Sequence, residues 1–492
     1  MVSGFSLLTP IEKDMAFVAA ELAGTESAGI DTWMTRVAQQ CELSRRGFDP
    51  ETVHDLRVAL RRCRSIADGF MTLDPHPVWK QMKNEGKRLF QQLGALRDTH
   101  VMQEWVLRIA PVPDEASILL NNHLAEQEIR LKEGASEALG DFDHRKWASW
   151  IRLLSGRARR IPPGSIVYRH IALERWCAVR ELQRQALRNR SDSAYHRLRI
   201  GLKKFRYTLE NFLPSLHASW GEELREIQGL LGDMHDLNAL SQTARAIGAL
   251  RAGETRLRWR ARIAQERDLR LEKYRAMMVG DNSRILVWRS ALPQGDQIPA
   301  AALARLRGWA SFRDPDCTHS EYVAKLALQI YDGLESLDLT SGAGAGAREL
   351  LEAAAVLHNV GAGEVRKKWQ ILSSRLIRKL NPPLGWNEQQ IRDTALVVRF
   401  HRGALPRSDQ GAFAELSAQN RSTVLLLSGI LRLANAFDSL HQKRIRRLKL
   451  KRIGTVLHIA AAGYSPADAA AEKVAAARHL LEVVCGMPIL IE

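Results

Sequence analysis

Asp49-Pro-Glu-Thr-Val-His-Asp-Leu-Arg-Val-Ala-Leu-Arg-Arg-Cys-Arg-Ser65 is the stretch on which the fold turns. It opens as a helix opens. Asp49 is placed to accept from the first free backbone N–H groups, and Pro50 suits the first helical position, where no N–H is needed. Val53, Leu56 and Leu60 then recur at helical spacing and predict a buried stripe. Beside that stripe stand His54, Arg57, Arg61 and Arg64, at offsets 0, 3, 7 and 10. At about 100° per residue these four fall in one quadrant of the helix, with Arg62 to one side. A dense row of cations on one face repels itself, and is accounted for if a polyanion lies along it.

The pattern returns from Tyr195 to Glu210, where His196, Arg199, Lys203, Lys204 and Arg206 hold the same offsets. A second element follows each copy. Leu93-Gly94-Ala-Leu-Arg97-Asp98 is echoed by Leu231-Gly232-Asp-Met-His235-Asp236. Two elements in one order at similar separation make an internal repeat of over a hundred residues.

These residues resemble the CHAD domain, the conserved histidine α-helical domain, over roughly residues 1–290. The resemblance implies two pseudo-two-fold helical bundles, residues 1–150 and 151–290, whose basic helices line a central channel. By the same resemblance the channel binds inorganic polyphosphate through His54, Arg57, Arg61, Arg62, Arg64, His196, Arg199, Lys203, Lys204 and Arg206. Lys83, Lys87 and Arg88, just before the first Leu-Gly turn, are expected to extend the cationic wall. Gly94 is expected to allow close helix packing. Asp98 is expected either to orient an arginine of the wall or to cap or pair at the surface.

Composition bounds the partners. The 492 residues suggest two or three domains, and a 45% hydrophobic content supplies sizeable cores. The formal charge is +17, with +9 carried by residues 1–300 and +8 by residues 301–492. Both halves therefore call for an anionic partner: polyphosphate, nucleic acid or a membrane surface. Nucleic acid is disfavoured, because the basic helices hold few aromatics for base stacking. Five dispersed cysteines form no Cys-x-x-Cys pair, so neither a disulfide framework nor a zinc ribbon is indicated. Met1 to Pro10 lacks the marks of a signal peptide, and no apolar run is long enough to span a bilayer. A cytoplasmic location, in company with polyphosphate granules, is the expectation; the oligomeric state is left open.

Along the chain, residues 1–48 and Pro75 to Ile109 read as helical, and Asp114 to Trp150 as helical with Trp147 and Trp150 in the core. Pro162-Pro163-Gly164 breaks the chain before the second repeat. Leu224 to Met278 predicts two more helices, the second with a solvated Arg/Glu face. The domain boundary is expected within Asp281 to Pro299. Beyond it an amphipathic helix is predicted from Ser320 to Leu337, then an apolar run from Leu351 to Leu357 leading into His358-Asn359. A hairpin is predicted around Ile453-Gly454-Thr455, a helix from Pro466 to Val484 capped by Ser465, and a last strand from Met487 to Ile491. Lys443 to Arg452, with seven basic residues in ten, suits either a face that docks an anion or an edge strand guarded by charge.

His319, His358-Asn359 and Asp438 on separate helices resemble the core of an HD-type hydrolase. More narrowly, Ala-Ala-Ala-Val-Leu-His358, Arg-Phe-His401-Arg-Gly-Ala-Leu-Pro and Leu-Arg-Leu-Ala-Asn-Ala-Phe-Asp438 resemble the C-terminal HD-like domain of exopolyphosphatase and guanosine pentaphosphate phosphohydrolase. That likeness covers about residues 300–492. It implies a mainly α domain with a small C-terminal α+β element, and a divalent metal, Mg or Mn, held by His319, His358, Asn359 and Asp438. Position 359 is Asn where that family has Asp, and a neutral amide is a poorer ligand for a hard dication. The segment from Val365 to Gln370 also lacks the histidines often found there in that family. No cofactor is therefore expected, and a module that adds Lys and Arg to phosphate-chain binding is favoured over a metal-dependent phosphohydrolase.

Overall fold

The computed structural model describes residues 29–251, 253–407, 409, 411–467 and 469–492. The expectations for residues 1–28 lie outside the described residues. The chain is mainly helical and forms two compact units that divide between Gln294 and Gly295.

The first repeat holds α1 (Ile30–Ser44), α2 (Pro50–Phe70), α3 (Val78–Glu85), α4 (Lys87–Ile109), α5 (Glu115–Gly140) and α6 (His144–Ala158). The second holds α7 (Ile166–Asn189), α8 (Asp192–Phe212), α9 (Pro214–Ala246), α10 (Glu254–Met278) and α11 (Arg284–Ser290). The packing repeats with the sequence. α1 lies on α2 as α7 lies on α8, α2 on α4 as α8 on α9, and α4 on α5 as α9 on α10. The two basic helices, α2 and α8, touch each other across the pseudo-two-fold.

The reasons are local. Asp49 accepts from the backbone of Glu51 and Thr52, both at 3.0 Å, so α2 starts where the sequence predicts. Its stripe Val53, Leu56 and Leu60 is buried, as are Tyr195, Leu198 and Leu202 in α8. Each such side chain contributes roughly 1.5–3 kcal/mol of burial, which fixes the opposite, cationic side of each helix toward the space between the repeats. Trp147 and Trp150 are buried as expected, and α10 buries only Trp259, Tyr274 and Met278 among its residues, leaving a solvated face. One expectation fails: a Cβ at Gly94 would meet open space, so this glycine does not serve close packing.

The second unit holds α12 (Gln297–Ser311), α13 (Cys317–Glu335), α14 (Ala347–Leu357), α15 (Trp369–Ile377), α16 (Glu388–Phe400), α17 (Gly411–Ala414) and α18 (Ala418–Phe437). Then come β1 (Arg447–Ile453), β2 (Val456–Ala462), α19 (Ala471–Cys485) and β3 (Ile489–Ile491). Val323, Ile330, Leu351, Val397, Leu427 and Leu431 anchor its core from α13, α14, α16 and α18. The sheet order is β1-β2-β3, antiparallel then parallel, and Gly454 turns the hairpin with φ +60°. Arg447, Lys449 and Lys451 stand exposed on the edge strand β1. The helix predicted from Pro466 begins only at Ala471. Ser465 Oγ accepts from Ala467 N at 3.3 Å, closing a tight turn instead of capping a helix.

Candidate functional site

Between α2 and α8 runs a cleft of about 330 Å³. Its wall includes His54, Arg57 and Arg61 from α2 and Arg199, Lys203 and Arg206 from α8. The structure therefore brings together, from both repeats, six of the residues picked out by sequence. It adds four that were not assigned: Arg97 from α4, Tyr207 from α8, and Arg225 and Gln228 from α9. Tyr207 is the hub. The cationic groups of Arg61, Lys203 and Arg206 lie 5.7, 5.9 and 5.2 Å from its ring centre. The negative face of one aromatic ring thus eases the crowding of three like charges. Tyr207 lies eleven residues after His196, which returns it to the same helix face.

The other expected residues go elsewhere, most of them to partners that explain it. Arg62 is buried, pairs with Glu210 at 2.5 Å and stacks on Trp33. Arg64 donates to the carbonyl of Lys83 at 2.7 Å and lies over Phe90. Lys83 pairs with Asp68, and Arg88 pairs with Glu137 and Asp141. Lys87 and Lys204 are exposed outside the cleft lining. Lys83, Lys87 and Arg88 therefore do not extend the cleft wall. The repeat is broken chemically here: Arg206 faces the cleft, while its counterpart Arg64 braces α2 against α4. The His196 ring lies near that of His235, with ring centres 4.7 Å apart and the two planes tilted by 39°.

Charge crowding shows in the protonation equilibria. Burial, then the fields of Arg61, Arg199, Arg57 and Arg206, push the Lys203 ammonium down to about 8. Burial lowers Arg57 and Arg206 as well. Two carboxylates stand at the margin. Asp98 lies 4.0 Å from Arg57, close enough to bias the guanidinium without a hydrogen bond. Asp236 is pushed up to about 6, mainly by burial, with Arg199 opposing and Asp98 adding to the rise. Glu210 is different. Burial would raise it, but Arg62 and Arg206 hold it below the usual carboxylate range.

In the second unit a cavity of about 550 Å³ is lined by His319, Asn359, His401, Arg402, Asn435 and His441, among others. His358 ends α14, and its ring lies 5.5 Å from that of His319. Gly361 lets α15 come close: a Cβ there would stand 2.8 Å from the backbone nitrogen of Ser373. That approach seats Trp369 Nε1 at 3.0 Å from Asn359 Oδ1, to which it donates. The guanidinium of Arg402 covers the Trp369 ring at 3.9 Å.

Would His319, His358, Asn359 and Asp438 hold a hard dication? The oxygen donors are committed. Asn359 Oδ1 is taken by Trp369, Asp438 Oδ2 pairs with His319 Nδ1 at 2.7 Å, and Asp438 Oδ1 accepts from Lys443 N at 2.7 Å. The uncommitted donors are Nε2 of the buried His358 and His401. Burial holds His358 well below its ordinary value and His401 at about 4, so both are neutral imidazoles. Neutral nitrogen donors suit softer metals, not Mg²⁺ or Mn²⁺. The four residues therefore do not fit the implied ion.

Comparison with known proteins agrees with this two-part layout. Residues 30–245 match the CHAD domain, and residues 311–460 match the Ppx/GppA phosphatase, domain III. The first unit is thus similar to the CHAD domain and the second to domain III of the Ppx/GppA phosphatases. A crystal structure of the CHAD domain from the plant Ricinus communis is similar at 23% identity, over 54% of this chain and 89% of that chain, with a TM-score of 0.36. No curated protein matches the sequence. Among the described residues, no helix is long and apolar enough to cross a membrane.

Proposed function

We propose that this protein binds inorganic polyphosphate in the cleft of its first unit, one chain lying against both basic helices. The observation that supports the reading is the set Arg57, Arg61, Arg97, Arg199, Lys203, Arg206 and Arg225, drawn from four helices into one cleft. Guanidinium groups hold phosphoryl oxygens bidentately, and successive phosphates offer such oxygens at every step of the chain. Tyr207, the one Phe, Tyr or Trp among the described residues of the lining, is already engaged by three cations, which disfavours its use as a stacking platform for bases. The second unit adds cationic surface of its own.

The test is affinity for long-chain polyphosphate in two double variants of the full chain, Arg57→Ala with Arg61→Ala and Arg199→Ala with Lys203→Ala. Each should lose most of the affinity, and lose more for long chains than for pyrophosphate, since only a long chain spans both helices. Wild-type affinity in either variant would refute a shared site.

A further inference from the structure

The basic run from Lys443 to Arg452 has no part in the cleft, and the sheet register shows how it is displayed. Arg447, Lys449 and Lys451 of β1 stand opposite Ala462, Ala460 and His458 of β2, and His458 stands opposite Leu490 of β3. Residues paired in this way share a face, and successive residues of a strand point to opposite faces. One face therefore carries Leu448, Leu457, Ile459, Ala461 and Ile489, all buried. The other carries Arg447, Lys449 and Lys451, exposed and about 7 Å apart along the strand. Ile453 ends the same row, 56% exposed, where the hairpin turns. Ala460, Ala462 and Leu490 continue that face, and the leucine is 45% exposed.

None of these three cations has a carboxylate partner among the described residues. Glu492 stands 3.5 Å from His458 Nδ1, next to β3 at the opposite edge of the sheet. Charge on an edge strand guards it against pairing with another chain. That accounts for the lysines, but an exposed isoleucine in line with them works against such a guard. A polyanion dissolved in water is attracted by the cations and has no use for Ile453 or Leu490. A bilayer with anionic headgroups uses both. Its phosphates offset the cations, and the apolar side chains leave water at the boundary with the acyl chains. The paired residues of this face include no Phe, Tyr or Trp, so it lacks the stacking platform of a single-stranded nucleic-acid site.

We propose that the outward face of this sheet docks the second unit on the surface of an anionic lipid bilayer. Arg447, Lys449 and Lys451 lie against the headgroup phosphates. Ile453 at the hairpin tip and Leu490 sit at the boundary between headgroups and acyl chains. The two contributions respond differently to salt. Attraction by the cations acts within a Debye length, about 8 Å at physiological ionic strength, and weakens as salt is raised. The apolar contact is not screened. The proposal goes beyond polyphosphate binding in the cleft and does not rest on it.

The full-length protein is sedimented with vesicles of phosphatidylcholine alone, and with vesicles of equal parts phosphatidylcholine and phosphatidylglycerol, over a range of lipid concentrations. It should bind the mixed vesicles and not the neutral ones, more weakly as salt is raised. Lys449→Ala with Lys451→Ala should lower vesicle affinity about twenty-fivefold, about fivefold for each cation near the surface. Ile453→Ser should lower it about tenfold. These side chains are exposed, so both variants should keep the wild-type thermal melt. Arg57→Ala with Arg61→Ala, in the first unit, should bind the mixed vesicles as wild type does, which separates this face from the cleft. The proposal is overturned by equal binding to neutral vesicles, or by vesicle binding that is lost in the first-unit variant. Wild-type vesicle affinity in Ile453→Ser would overturn it in favour of a general polyanion surface. Weakened binding of a DNA duplex by Lys449→Ala with Lys451→Ala, with vesicle affinity unchanged, would overturn it in favour of nucleic acid.

Discussion

Lys203 should make polyphosphate binding fall off in mild alkali. In the free protein its ammonium is held at about 8, because it is buried among Arg61, Arg199, Arg57 and Arg206. A bound polyanion cancels those fields and needs the charge, so the complex keeps the proton. Below pH 8 the free protein already carries that proton, and affinity is flat on this account. As pH rises through 8 the free protein loses it, and binding must recover it from solvent. The penalty grows to about 1.4 kcal/mol, or about tenfold in affinity, for each further pH unit. Calorimetric titration with long-chain polyphosphate, whose end groups are few, reads both quantities when run in buffers of different ionisation enthalpy. Between pH 7 and pH 9 affinity should drop about tenfold, with nearly one proton taken up per site at pH 9. Lys203→Arg remains charged throughout and should bind with no such slope. Equal affinity at both pH values, or a slope retained in Lys203→Arg, would refute the reasoning.

Asp236 acts with the opposite sign. Its carboxyl is raised to about 6, so it is charged at pH 7 and repels the ligand from beside Arg199. Asp236→Asn should tighten binding several-fold at pH 7, by about 1 kcal/mol, and the difference from wild type should vanish as pH falls below 6. Arg62→Ala tests a purely structural assignment. It leaves Glu210 buried without its nearest cation, and should cost about 3 kcal/mol in denaturant unfolding while the folded protein keeps wild-type affinity. Arg225→Ala should weaken binding and lower the slope of log affinity against log salt by roughly one unit, as loss of one phosphate contact does in nucleic-acid complexes.

The helices of the first unit were legible because period and capping are local. Asp49, Pro50 and the Val53, Leu56, Leu60 stripe lie within a dozen residues, and the second copy repeats the buried positions and the cationic offsets. What each cation touches was not legible, since the partners come from distant helices. Arg62 and Arg64 look like Arg61 in sequence, but Glu210 and Phe90 draw them out of the wall. Tyr207 lies on the readable face, yet a neutral ring carries no charge to mark it as part of a cationic wall. Arg225 and Gln228 belong to no motif, and only the packing of α9 on α8 brings them in. In the second unit the histidines were found in order along the chain. Their hydrogen bonds were not, because the partners of His319 and His441 stand 119 and 125 residues away. Nor does sequence show that Trp369 takes the oxygen of Asn359.

The central claim, one polyphosphate chain held by both repeats, is tested most directly by a crystal structure of the full-length protein soaked with polyphosphate. The account predicts continuous phosphate density through the cleft, in contact with Arg57 and Arg61 of α2 and with Arg199, Lys203 and Arg206 of α8. Density confined to one of these helices, or a chain bound outside the cleft, would contradict it.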